Sequence, residues 1–290
     1  MKKQVLPALI GIVVALLAGL AILWAQGYPP LQSYAALFSY SLFSKFAFFS
    51  TLDKATPLIL TGLSAAVGFG SNCVNLGQPG QFLIGAIAVT AFGIAVDLPA
   101  GLMIPLSILV ALAAGACWSG IAAGLRRRFK MDEFITTLML NFIADYFTLY
   151  LISGPMLDRR MYSPLTPMTN PGAWLPIWNG FGSAFLVAIA AFAVVSVLWN
   201  RSKIGYEWRA MGQNPIFSRT GGCRNDSAYL GAMLLSGALA GLAGGLMIFG
   251  GRSSRSFSGG RPRYLRGSDI DLPLHTTDDA GEAWVGGSWG

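Results

Sequence analysis

The sequence predicts an all-α, polytopic transmembrane helical bundle, on three observations. Of 290 residues, 54% are hydrophobic and 11% charged, less than half the roughly 25% charge of a soluble domain. No Asp, Glu, Lys or Arg occurs in 4–44, 55–96, 98–125, 161–200 or 227–251. The basic residues gather beside these runs rather than inside them.

A helix needs about 20 apolar residues to cross a bilayer, and charge at its centre is costly. The runs 4–44, 98–125 and 227–251 suit one crossing each and 55–96 suits two. A sixth fits 181–199, and a seventh, 134–152, holds a single acidic residue, Asp145. The first run follows Met1-Lys2-Lys3 and resembles a secretory signal peptide. Its apolar core, 8–25, is longer than the roughly 7–15 residues of a signal core, so it reads as an uncleaved first span. Segment 34–49 is aromatic and mildly polar, and suits either an interfacial helix or a half-span.

Basic residues near span ends favour the cytoplasm. Lys2 and Lys3 place the N-terminus inside. Four crossings then return the chain to the cytoplasm at Arg126-Arg127-Arg128-Phe129-Lys130, the densest basic cluster. The span 134–152 leads outward to 153–180, rich in proline and carrying Trp174 and Trp178, which suit the outer interface. Asp158-Arg159-Arg160 in that loop is a balanced exception. The span 181–199 crosses back and puts 200–226 in the cytoplasm, with Arg201, Lys203, Arg209, Arg219 and Arg224. Gly237, Gly241 and Gly245 lie four apart on one helix face, as do Gly120 and Gly124, a spacing that allows close helix approach.

Several function classes are excluded. The chain has no Gly-x-x-x-x-Gly-Lys-Ser/Thr string to cradle ATP phosphates. Its one histidine, His275, leaves no Ser-His or Cys-His pairing. Cys73, Cys117 and Cys223 are scattered, odd in number and without ligand spacing, so neither a disulfide framework nor a metal site is expected. The net charge of +7 reflects topology, not nucleic-acid binding.

Three stretches carry candidate chemistry. Asn72 to Gln81 is a polar, Gly/Pro-broken stretch inside a charge-free run. It is either a turn between spans or irregular backbone of the kind that lines transport sites. Asn141 and Asp145 lie one helical turn apart in a span, where ionisable residues are functional candidates. In 200–226, Gly205 is expected to break the chain after Lys203, and 206–211 to form a short amphipathic helix carrying Glu207 and Arg209. Asn214-Pro215 reads as the cap and first residue of a second helix, ended by Gly221-Gly222. Two short helices on the membrane surface would make a knob for a partner's groove; periodicity alone suits an ordinary solvated loop equally well.

These stretches, in this order, resemble the permease subunits of bacterial ABC importers in the branched-chain amino acid, ribose and nucleoside branch. Relatives carry Asn-Ile-Gly-x-Glu-Gly-Gln, here Asn75-Leu76-Gly77-Gln78-Pro79-Gly80-Gln81. They carry Thr-x-Met-x-Asn-Tyr-Ile-Ala, here Thr137-Leu138-Met139-Leu140-Asn141-Phe142-Ile143-Ala144. They also carry Gly-x-x-x-Arg-Ala-x-Gly-x-Asn, here Gly205 to Asn214, and a Ser-Gly-Ala-x-Ala-Gly-Leu-Ala-Gly stretch matching 236–244. The match covers 5–258 and is closest to the nucleoside or simple-sugar type.

The resemblance implies a partial permease domain over 1–258, with a cytoplasmic coupling loop at 200–226. Gly205, Glu207, Arg209, Ala210, Gly212, Asn214 and Pro215 would dock into an ABC ATPase subunit. Asn75, Gly77, Gln78, Gln81 and Asn141 would lie near the translocation path. Pro79 stands where many relatives have Glu, so no carboxylate role carries over there. Asp145 lies outside the family pattern and rests on the residue argument alone. The implied assembly has two permease subunits, as a homo- or heterodimer, with ATPase subunits and an extracytoplasmic solute-binding lipoprotein. It sits in lipid at the bacterial inner membrane. No cofactor is expected in this chain, ATP and magnesium being held by the partner.

Residues 252–290 hold 10 charged residues in 39, against 23 in the preceding 251. Relatives continue with further apolar spans there. The tail 259–290 therefore reads as out of frame or disordered, and a truncated, inactive permease is one alternative. A proton-coupled secondary transporter using Asp145 is another.

Overall fold

The computed structural model describes residues 2–158, 166–178 and 181–250. The tail expectations at 259–290, and Arg159 and Arg160, lie outside the described residues, as does the side chain of Trp178. In chain order the elements are α1 (Lys2–Ala25), α2 (Pro30–Phe43), α3 (Lys45–Gly70), α4 (Gln78–Ala95), α5 (Ala100–Phe129) and α6 (Glu133–Ser153). A 3-10 turn (Pro171–Ala173) and a hairpin of β1 (Ile177–Trp178) with β2 (Phe181–Gly182) follow. The chain continues as α7 (Ala184–Arg201), α8 (Lys203–Gln213), α9 (Pro215–Thr220) and α10 (Asn225–Phe249). The hairpin pairs Ile177 with Gly182 and Trp178 with Phe181.

The expected all-α polytopic bundle is the architecture found. The span count differs from the seven expected. Among the described residues five helices, α4, α5, α6, α7 and α10, are long and apolar enough to cross a membrane, or six if α2 and α3 act as one bent pair. The difference has a compositional cause. The first of the two crossings expected in 55–96 falls in the C-terminal half of α3, whose first half carries Lys45, Asp53 and Lys54. Of the expected first span 8–25, only the shorter apolar helix Val13–Ala25, within α1, is found among the described residues. The expected segment 34–49 is split by a break at Ser44, where the α2–α3 pair bends by 65°.

Helix α10 is the axis of the bundle and packs against α5, α4 and α3. From Leu239 to Phe249 only Met247 is exposed, as a helix apolar on every side requires. Small residues make this possible. A Cβ on Gly241 would meet the Ala111 carbonyl at 2.5 Å and Gly115 Cα at 2.7 Å, while one on Gly245 would meet Ala111 Cβ at 2.7 Å. Gly85 of α4 lies against Gly241 from another side. Where lipid tails are as apolar as leucine, such backbone approach supplies the packing. The Gly237/Gly241/Gly245 face is thus a contact face, with Gly115 and Ala111 opposite. Gly120 abuts only the Leu234 side chain at 3.1 Å and Gly124 meets nothing within 4 Å, so that pair does not form the expected seam.

The bundle has two chemically distinct ends. One gathers the end of α3, segment 71–77, the α5–α6 turn and α8–α9, with Arg126, Arg127, Arg128, Lys130, Arg201, Lys203, Arg209, Arg219 and Arg224. At the other end Asn170 N–H donates to Gly93 (2.9 Å) and Leu175 N–H to Phe249 (2.8 Å). Trp174, expected at the outer interface, lies at this second end, half-buried, its indole N–H donating to Thr169 Oγ1 at 3.1 Å.

Candidate functional site

Segment 71–77 is the break between α3 and α4. Helix α3 stops at Gly70, and Asn72 takes a left-handed conformation (φ 56°), which asparagine tolerates better than most residues. The loop then turns inward instead of running over the surface. Asn75 is 1% exposed and sits at the centre of a closed set of hydrogen bonds. Its Nδ2 donates to Gln81 Oε1 (3.0 Å) and Ser236 Oγ (2.8 Å), and its Oδ1 accepts from Gly77 N–H and Gln81 Nε2 (both 2.9 Å). Ser236 and Ser64 bond each other side chain to carbonyl, in both directions. The network joins α3, the break, α4 and α10, with each amide group of Asn75 satisfied. Cys73 lies in the same loop, its Sγ 3.5 Å from the Ser71 carbonyl. Burial pushes its thiol up to about 12.

Helix α6 holds the far side of the break. Asn141 Nδ2 donates to the Leu76 carbonyl and its Oδ1 accepts from Gly80 N–H, each at 2.9 Å. Leu76 N–H donates to Thr137 Oγ1 at 3.3 Å. The side chain of Asn141 thus stands in for the backbone partner that the broken helix lacks. Asp145, one turn on, does not join it. It is exposed, beside exposed Phe142, Tyr146 and Tyr150.

A polar clamp lies at the basic end. Asp132 caps α6, accepting from Phe134 N–H at 2.7 Å, which puts Glu133 in the first turn, where a carboxylate is favoured by the helix dipole. Glu133 Oε1 accepts from Val74 N–H (3.0 Å) and Oε2 from the Tyr229 hydroxyl (2.8 Å). Arg126 forms an ion pair with Glu133 and lies over the Tyr229 ring, 4.2 Å from its centroid.

The knob is built from α8 and α9. Ser202 caps α8 by accepting from Gly205 N–H at 3.0 Å. Gly205 does not break the chain as expected. It lies in the first turn of α8, against the carbonyls of Leu198 and Trp199, and the break falls at Ser202 instead. Trp208 and Met211 form the buried side of α8. Trp208 donates its indole N–H to the Ala228 carbonyl (2.9 Å) and packs its ring 6.1 Å from that of Trp199. Asn214 Oδ1 caps α9, accepting from Ile216 and Phe217 N–H at 3.0 Å, and Pro215 takes the first helical position. Gly222 ends the element at φ +85°. The outer surface carries two large apolar side chains among polar and basic ones: Ile216 is 80% and Phe217 68% exposed, beside exposed Gln213 and Arg219. Between the two helices a groove of about 280 Å³ is lined by Tyr206, Arg209, Ala210, Gln213, Asn214 and Phe217. Arg209 Nη1 is enclosed there without a hydrogen-bond acceptor.

A bundle with a buried helix break on one side of its basic end and a two-helix knob beside it can be set against known families. The profile of the branched-chain amino acid transport system permease component matches residues 47–259. The chain belongs to this permease family. It is the membrane permease subunit of an ABC importer. The permease is 34% identical over 264 residues to a glucose ABC transporter permease of Haloferax volcanii, covering 86% of this chain and 70% of the relative. It is 33% identical over 252 residues to a guanosine ABC transporter permease of Bacillus subtilis (84% and 72%). To a nucleoside ABC transporter permease of Lactococcus lactis it is 32% identical over 260 residues (86% and 71%). No solved structure is a significant match. ABC permeases of this family work with ATPase and binding-protein partners and are normally not catalytic themselves.

Within the permease, the residues expected along a path separate into two sets. Asn75, Gly77 and Gln81 are buried, and Asn141 is half-buried against the break, whereas Gln78 is half-buried beside exposed Pro79. Sequence reasoning missed Arg126, Glu133, Tyr229, Ser64 and Ser236. Only Asp132-Glu133 ahead of an apolar run carried a usable signal, that of a capped helix start. The residues expected at the coupling loop, Gly205, Glu207, Arg209, Ala210, Gly212, Asn214 and Pro215, all fall on α8, α9 or the cap between them. Gly212 packs against the Gly70 carbonyl, too close to admit a Cβ.

Proposed function

We propose that the permease moves a nucleoside, or a similar small polar solute, inward across a bacterial inner membrane, with ATP hydrolysed on a separate ATPase subunit. The observation that carries the coupling part is the α8–α9 knob: its outer face exposes Ile216 and Phe217 and its inner face is locked to α7 and α10 through Trp208. A rigid element with exposed Ile216 and Phe217 on a basic surface suits a partner groove of apolar and acidic character. Arg209, half-buried on the groove wall, adds a positive charge that favours a carboxylate there. On the positive-inside rule the basic end is cytoplasmic, and Lys2 and Lys3 ahead of an outward first crossing by α1 put the N-terminus inside.

The solute reading comes from the Bacillus and Lactococcus relatives, whose substrates are guanosine and nucleosides. The path lies between two permease subunits. Asp145 stands 12 residues beyond Glu133, ~18 Å into the span at 1.5 Å per residue, and is exposed. A carboxylate at that depth is disfavoured by about 2.5–3.5 kcal/mol against lipid, so it faces the second subunit or the wet path between the two. Asn75 and Gln81 shape the path's wall from behind. The chain holds no cofactor, and ATP with magnesium belongs to the ATPase. An extracytoplasmic binding lipoprotein delivers the solute.

The test is reconstitution of the permease with its ATPase and binding protein in liposomes. Guanosine-stimulated ATP hydrolysis with matching uptake is expected. Uptake by the permease alone, independent of ATPase and abolished by Asp145→Asn, would establish the proton-coupled reading instead.

A further inference from the structure

Two of the contacts helix α8 makes with the interior lead to one side chain. The Trp208 indole holds the Ala228 carbonyl, directly before Tyr229. Gly212 rests on the Gly70 carbonyl, where α3 gives way to the break. A shift of α8 therefore moves the first turn of α10 and the start of the break together. Glu133 bridges those two places. One carboxylate oxygen accepts from Val74 N–H in the break at 3.0 Å. The other accepts from the Tyr229 hydroxyl on α10 at 2.8 Å. Arg126, at the end of α5, is paired with the same carboxylate and stacked on the same tyrosine ring.

We infer that Glu133 is a positioning residue that carries movement of the α8–α9 knob to the 71–77 break. Its chemistry fits the task. The side chain is 11% exposed while Arg126 is 41% exposed, so the carboxylate works away from bulk water, where charge-assisted hydrogen bonds are strongest. It binds three elements, α5, α10 and the break, from a fixed point at the start of α6. Behind the break, Asn141 and Thr137 on that same helix hold Leu76. Motion that reaches Val74 is thereby passed along α6 and into the Asn75–Gln81–Ser236 network. Glu133→Gln keeps the shape but loses the charge that organises Arg126, and Tyr229→Phe keeps the stacked ring but removes the α10 link.

The inference rests on the import reading, and its test separates the two. The complete permease is purified in nanodiscs with its ATPase, and amide hydrogen exchange of 72–77 is followed with and without ATP. In the wild type, ATP should change exchange at Val74 by about tenfold, the scale of one charge-assisted hydrogen bond. In Glu133→Gln and Tyr229→Phe the change should shrink to about twofold or less, with both variants still co-purifying with the ATPase. Variants that respond as the wild type does, or that lose the ATPase altogether, overturn the positioning role. A wild-type complex that forms but shows no response at Val74 overturns it too. A wild-type permease that binds no ATPase overturns the import reading beneath it.

Discussion

The indole nitrogen of Trp208 lies 2.9 Å from the carbonyl oxygen of Ala228, and this bond fastens α8 to the first turn of the central helix, while Asn225 in the same turn donates to the Pro215 carbonyl at 2.7 Å and fastens α9. Trp208 and Ala228 are both buried, so their bond is shielded from water and its loss leaves a donor or an acceptor unsatisfied. The knob's orientation is set by the bundle rather than by its own short helices, since α9 spans 6 residues and is too short to be stable alone.

Trp208→Phe removes that hydrogen bond while keeping most of the ring, and a loss of about 1–2 kcal/mol is expected. Trp208→Ala also empties the space beside Trp199 and should cost about 3–5 kcal/mol. Thermal unfolding in detergent checks the order. ATPase co-purification should fall for Trp208→Ala far more than for Trp208→Phe.

Gly241→Val should abolish folding or destabilise the bundle by several kcal/mol, because no Cβ fits between the backbones of Ala111 and Gly115. Overpacking of an interior is ordinarily worth about 1–3 kcal/mol, and here the obstacle is backbone. Gly124→Ala is the contrasting case, with nothing within 4 Å of the new methyl and a helix-propensity gain of roughly 0.5–1 kcal/mol. Unfolding temperatures of the two variants should move in opposite directions.

These two glycine positions also show how much of the fold the sequence made legible. Apolar runs located all five of the described helices that are long and apolar enough to cross a membrane, and the four-residue spacing around Gly241 pointed to a contact face. The same spacing at Gly120 and Gly124 was equally suggestive and is not a seam. Spacing marks a smooth helix face, but only the partner's position decides whether anything lies against it. Gly205 misled in the same manner. A glycine near a helix end suggests a stop, yet here it serves close approach to the Leu198 and Trp199 carbonyls. Asn214-Pro215 was readable because capping is local chemistry between neighbours. Glu133 and Tyr229 were not, because their bond joins residues 96 apart in the chain.

Asn75 and Gln81 exchange two hydrogen bonds inside the bundle, so their contributions should not add. Asn75→Ala strands Gly77 N–H and the Gln81 amide at once, while the Ser236 hydroxyl keeps its bond to the Ser64 carbonyl. In a double-mutant cycle with Gln81→Ala, measured on thermal stability, a coupling of about 0.5–3 kcal/mol is expected. Additive losses would mean the two amides act separately.

Cysteine labelling reads out which end faces the cytoplasm. Cys223, half-buried between α9 and α10, should react with a membrane-impermeant maleimide in inside-out vesicles and not in right-side-out ones. Cys73 should stay unlabelled in both. Its thiol is pushed up to about 12 by burial, so near neutral pH almost none is thiolate, the reactive form. The rise favours the protonated thiol, and its reactivity should emerge only as the pH climbs toward that value. The experiment uses a Cys117→Ser background to remove the exposed third cysteine.

The central claim is that the α8–α9 knob is where the ATPase docks, and site-specific photo-crosslinking tests it most directly. A photoreactive amino acid is placed either at Phe217 on the knob or at Leu102, exposed near the start of α5 at the opposite end. The reconstituted complex is then irradiated. An adduct between permease and ATPase is expected from position 217 and none from 102. An assembled, ATP-hydrolysing complex that gives the adduct from 102, or none from 217, would contradict it.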